Sequence, residues 1–276
     1  MIKFYFFFII FFLLNSGTIF AKKITVFFRP DIKLYQIWAR NIKTEFQDSV
    51  ILIPVSAKDD NSLSIADSDF IVSFGDRAAQ QIGNSPNKKA IFLVSDPRFC
   101  EKADYCLTLF PDLNITLSQV RRIFPKFPIK LVVTQRTKDW VEIYKKSLHS
   151  NLEIQKLDVG EIREDLRKIF KSKSVIVLLP DPVFLQEKIL REIVRLSFIT
   201  KCPVVGFSKK MVNYGILMSI NYKYEDFLPF IMKIIKANFN KTKIDITFPY
   251  YVVVNKRVLD FFNIKIPKSN NIIYVD

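Results

Sequence analysis

SDFIVSFGDRAAQQI, Ser68–Ile82, contains a strand, a tight turn and the opening of a helix in one short stretch. Asp69–Phe74 is a short, mostly apolar run of the kind expected of a parallel strand covered on both faces. Gly75 permits a sharp turn, and Asp76 is placed to cap the helix that begins at Arg77. A strand that empties into a helix N-terminus presents free backbone N–H groups to the adjacent crevice, where open α/β sheets bind ligands.

The same unit recurs along the chain. Ile24–Phe28 and Val50–Ile53 read as strands before it, and Ala90–Val94 as the strand after it. On the helix between the first two, Leu34, Trp38, Ile42 and Phe46 share one face at i+4 spacing and read as core. After the prolines at Pro125 and Pro128 the pattern restarts with strands Ile129–Thr134, Leu152–Leu157, Ser174–Leu179, Cys202–Ser208, Gly215–Ile220 and Tyr250–Val254. Helices Asp139–Ser147, Phe184–Phe198 and Tyr224–Asn238 fall between them, together with one carrying Ile162, Leu166, Ile169 and Phe170 on one face. Right-handed crossovers then predict an α/β protein of two doubly wound parallel-sheet lobes joined by crossing segments. The expected division is 22–114 with 221–244 for the N-terminal lobe and 115–220 with 245–276 for the C-terminal lobe.

Lys3 followed by the uncharged run Phe4–Leu14 and then Asn15–Ala21 has the order of a secretory signal, with cleavage expected after Ala21. The apolar run is shorter than the ~20 residues that span a bilayer. No cysteine follows it, so a periplasmic or extracellular protein without a lipid anchor is expected. A formal charge of +15 over 276 residues could steer an anionic ligand or face an anionic surface. The basic residues are scattered, without long runs or interleaved aromatics, which argues against nucleic acid.

Cys100 and Cys106 either close a small loop in an oxidising compartment or remain two buried thiols. Cys202 reads as a small apolar residue at a strand start. The single histidine, His149, cannot build a metal site, and no cofactor motif is present: the six glycines form no phosphate-cradling loop, and there is no nucleophile elbow. An enzyme would have to use cleft carboxylates such as Asp96 and Asp181 as acid and base. A sensor domain with the same two lobes is a further alternative.

Four stretches carry a resemblance to a known family. They are Asp69–Gly75 with Ala78-Ala79, Val94-Ser95-Asp96-Pro97, Pro203–Gly206 through Gly215–Leu217, and Val253–Leu259 with Ile264–Pro267. In this order they resemble the ABC-transporter substrate-binding proteins of the type I periplasmic-binding fold, in the group associated with aromatic amino acids such as tryptophan. The resemblance implies a monomeric receptor that closes on a small solute, possesses no enzymatic activity and delivers to a membrane permease. Departures fall where a ligand would sit: Gly75-Asp76 replaces the family's Gly-Thr, Phe28-Arg29-Pro30 its acidic-His-Pro, and Asp181-Pro182 its Asp-Asn.

The ligand-binding residues expected from this reading are Arg29, Gly75, Asp76, Arg77, Ser95 and Asp96 in the first lobe. In the second they are Gln135, Arg136, Asp181, Ser208 and Tyr214. Arg29 and Asp76 would clamp the carboxylate and ammonium of a zwitterion, or else form a surface pair worth little. An amino acid or a small anion is the expected solute.

Overall fold

The computed structural model describes residues 23–55, 68–83, 85–144, 152–158, 160–239, 248–267, 269 and 271–276. The segment read as a secretory signal, His149 and the end of the helix expected at 139–147 lie outside them.

Two sheets organise the chain. The first contains β1 (Ile24–Phe28), β2 (Val50–Pro54), β3 (Phe70–Phe74), β4 (Lys88–Val94) and β5 (Tyr105–Thr108), in the order β2-β1-β3-β4-β5 and parallel throughout. The second contains β6 (Ile129–Thr134), β7 (Leu152–Leu157), β8 (Val175–Leu178), β9 (Val204–Gly206), β10 (Met218–Tyr222), β11 (Tyr250–Asn255) and β12 (Ile272–Val275). Its order is β12-β11-β10-β9-β8-β6-β7. The part β7-β6-β8-β9-β10 is parallel and repeats the order of the first sheet.

Both faces of each sheet are covered over its central strands, which is why those strands are mostly apolar. On one side of the first sheet lie α1 (Lys33–Phe46), through Trp38 and Ile42, and α8 (Leu228–Phe239), through Ile231, Ile234 and Ile235. On the other lies α2 (Asp76–Ile82), through Ala78, Ala79 and Ile82. The second sheet is covered on one face by α3 (Leu113–Ile123) and α9 (Lys256–Phe261). On its other face lie α5 (Ile162–Ile169), α6 (Glu187–Thr200) and α7 (Lys209–Asn213).

Two buried lysines fit this packing because each ends a helix. Lys89 donates to the carbonyls of Gly83 and Ser85 just past α2, and Lys130 donates to that of Ile169, the last residue of α5. A cation there meets carbonyls that lack intrahelical partners.

The chain passes between the sheets at 109–112, at 223–227 and again before β11. The passages are bonded together: the Tyr224 hydroxyl donates to the carbonyl of Leu109, and Lys223 N–H donates to that of Pro249. This route explains one departure from an all-parallel second sheet. After β10 the chain visits the first sheet to form α8 and returns at the end it left from, so β11 runs antiparallel to β10. Strands β5 and β12, short and partly exposed, are additions to the sequence reading. The expected strand Gly215–Ile220 is shifted to Met218–Tyr222.

Candidate functional site

In an open sheet with the order 2-1-3-4-5, the crevice opens at the carboxyl ends of the strands. Here two such edges face one cavity. Ser95 and Pro97 line it from beyond β4; Thr108, Phe110 and Pro111 from β5 and the first crossing; Leu178, Leu179 and Pro180 from the end of β8; and Gly206 and Phe207 from the end of β9. Trp140, on α4 (Lys138–Tyr144), and Leu113 and Thr116, on α3, add to the wall. Phe110 and Phe207 meet edge to face, with centroids 5.4 Å apart. The cavity has a volume of about 40 Å³. That is room for a few waters.

Of the expected ligand residues, Ser95 lines this cavity. Most of the charged ones are engaged within their own lobe. Arg29 forms a two-pronged ion pair with Asp31, two residues on. Asp76 does not cap its helix with its side chain: Gly75 takes the N-cap position. The Asp76 carboxylate instead accepts the backbone N–H of Ser95 at 2.6 Å and its hydroxyl at 2.5 Å. Asp96 accepts from the backbone N–H and guanidinium of Arg98, capping the 3-10 turn Pro97–Lys102.

Asp181 is buried and caps the turn Pro182–Leu185 through Val183 N–H, while its other oxygen accepts the Thr134 hydroxyl at 2.6 Å. Gly75 has φ +84, a left-handed conformation suited to glycine, and an added Cβ would lie 3.2 Å from the Tyr35 ring. Arg77 is exposed, as are Gln135 and Arg136 in the turn after β6. Arg136 is close enough to Asp96 to act on its charge from the opposite lobe. The Ser208 hydroxyl is buried without a partner, and Tyr214 is 43% exposed at the end of α7.

The residues missed by the sequence reading are the aromatic ones. Trp140 is 5% exposed, and its indole N–H is buried with no acceptor. A buried donor without a partner is rare enough to require an explanation. Tyr35 sits against Gly75, and its phenol is pushed up to about 12 by burial and then by the charge of Asp76. Each reads in sequence as one more apolar position on a helix.

A bulge shapes the rim. Leu93 has φ +57, and the pairing of β4 with β5 shifts between Phe92 and Val94. Phe92 and Leu93 therefore both face the α1 side, and Val94 faces the α2 side. A bulge changes which way the following residues point, here Ser95 and Asp96.

A ligand-free, open substrate-binding protein with adhesive properties from Clostridium difficile superposes with TM-score 0.64 at 17% identity, covering 92% of this chain and 99% of that one. The chain has the type I periplasmic-binding fold. An ABC domain in complex with L-Trp from Streptococcus pneumonia shares this fold with TM-score 0.53 and 15% identity, over 91% of this chain and 100% of that one. So does a conserved domain protein from Vibrio cholerae, with TM-score 0.53 and 14% identity over 90% and 96% of the two chains. No protein-family model and no curated protein sequence matches the chain. Of the two alternatives left open for Cys100 and Cys106, the structure has the disulfide, with Cα atoms 5.2 Å apart, and Cys202 is a buried free thiol.

Proposed function

We propose that this is an exported solute-binding protein, which takes a small molecule between its lobes and delivers it to an ABC importer. The observation that carries the reading is the cavity between the carboxyl ends of two sheets of like order, walled by Phe110, Phe207 and Trp140. Its limited volume means that a solute enters as the lobes part and is enclosed as they meet, and the closed form is what a permease would recognise. In this reading the lobes comprise 22–114 with 221–244 and 115–220 with 245–276, and the protein acts as a monomer.

The Cys100–Cys106 disulfide supports export, because such bonds persist in oxidising compartments. No helix among the described residues is long and apolar enough to cross a membrane. A receptor is favoured over an enzyme because Asp96 and Asp181, the pair available for acid and base work, are each engaged by neighbours in their own lobe.

Mass spectrometry of small molecules released on denaturing the purified protein tests the reading. A stoichiometric solute that raises the melting temperature on re-addition is expected. Recovery of none, together with no thermal shift across a broad solute panel, would overturn it.

A further inference from the structure

The cavity also indicates the chemical class of its solute, an inference that rests on the solute-binding reading above. No residue lining it carries a charge. Four charged groups near the rim are already partnered: Asp76 by Ser95, Asp96 by Arg98, Asp181 by Thr134 and Val183, and Arg29 by Asp31, while Arg136 stands exposed at the mouth and outside the lining. An ammonium or carboxylate brought into this space would lose its hydration and find no counter-charge on the wall itself, which is unfavourable.

Two of the three hydroxyl groups on the wall are committed as donors, and the third is that of Thr116. Ser95 donates to Asp76, and Thr108 donates to the carbonyl of Phe110. A sugar, which needs a partner for each of several hydroxyls, would leave most of them unpaired. What the wall does offer is aromatic surface and the Thr116 hydroxyl, and beside it lies the indole N–H of Trp140, buried without an acceptor. Flat apolar faces suit a ring, and the N–H needs an acceptor.

We infer that the solute is an uncharged, ring-bearing molecule with a hydrogen-bond acceptor, and neither an amino-acid zwitterion nor a sugar.

The test is calorimetric titration of the full mature chain with one ring in several charge states: benzamide, benzylamine, benzoate and L-phenylalanine, with glucose as the non-aromatic probe. Benzamide is expected to bind at least about tenfold more tightly than each of the others. Trp140→Phe, which keeps a ring and removes the N–H, is expected to weaken benzamide about tenfold, the equivalent of one hydrogen bond.

L-Phenylalanine or glucose binding as tightly as benzamide would overturn the inference, as would a Trp140→Phe protein that binds benzamide unchanged. Should that variant not fold, the ligand series on the unaltered protein decides. A charged solute recovered by mass spectrometry would overturn the inference while leaving the solute-binding function standing. Absence of both a recovered solute and any binding would remove the two together.

Discussion

Asp76 receives two hydrogen bonds from a single residue, Ser95, one from its backbone N–H at 2.6 Å and one from its hydroxyl at 2.5 Å. The pair fastens the end of β3 to the end of β4 at the cavity rim. Bonds to an ionised acceptor are the stronger kind, and cutting both leaves the Ser95 N–H without its acceptor. Asp76→Ala is therefore expected to destabilise the protein by about 1–3 kcal/mol. Asp76→Asn should recover part of the loss, since its amide oxygen still accepts. Denaturant midpoints for the two variants check this, and equal losses in both would refute the role.

The second lobe makes an analogous tie with different partners. Asp181 links the end of β8 to the end of β6 through the Thr134 hydroxyl, and it also caps the turn that follows through Val183 N–H. Because Asp181 is buried, Asp181→Ala should cost more than Thr134→Val. The first strands the Val183 N–H and the Thr134 hydroxyl, whereas the second removes the bond to Asp181 and a long contact with the Thr137 hydroxyl but leaves Asp181 its Val183 donor. A double-mutant cycle should return a coupling on the order of 1–2 kcal/mol, and additive losses would show that the two side chains act independently.

These ties also explain how far the sequence could be read. The strand–helix alternation exposed both sheets, because buried parallel strands such as Phe70–Phe74 and Val175–Leu178 are continuous apolar runs. The short strands Tyr105–Thr108 and Ile272–Val275 lacked that signal, since each is only partly buried. At the site, the sequence pointed to charged residues at strand ends, because charge at a rim ordinarily implies a ligand. It could not reveal that Arg29 would turn to Asp31, or Asp96 to Arg98, two residues away. Nor could alternation anticipate the bulge at Leu93, which reverses the facing of everything after it. Trp140 was invisible for a different reason: a lone tryptophan on a short helix reads as core until an opposing lobe comes to face it.

Alkaline titration should separate the tyrosines. Burial, followed by the charge of Asp76, pushes the Tyr35 phenol up to about 12, and burial does the same for Tyr222. In the unfolded chain both ionise near the ordinary value of about 10. Stability from these groups is fully present below about 10 and is lost as pH rises through about 12, because the unfolded state then releases protons that the native state retains. Phenolate absorbance should show late-ionising tyrosines in the native protein, one fewer in Tyr35→Phe. That variant should also unfold less steeply above pH 10, and an unchanged titration would refute the assignment.

At low pH the contact across the mouth of the cavity should weaken first. The turn Pro97–Lys102 of the first lobe packs against α4 of the second, and Arg136 acts on Asp96 from across the gap. Burial pushes the Asp96 carboxyl up, but the Arg98 hydrogen bonds and the charges of Arg98 and Arg136 outweigh it and hold the group below its ordinary value. A depressed carboxyl contributes stability that is present above its unfolded value of about 3.9 and lost as pH falls through the folded one. Arg98 is 56% exposed, so solvent screening limits the contribution to about 0–1 kcal/mol. Asp96→Asn should flatten the acid limb of a stability–pH curve below about pH 4 and leave the neutral plateau only slightly lower. Arg136→Ala should produce a smaller flattening of the same sign, because it removes the cross-lobe charge and leaves the Arg98 pair intact; an acid limb as steep as that of the unaltered protein in both variants would show that the mouth carries no such linkage.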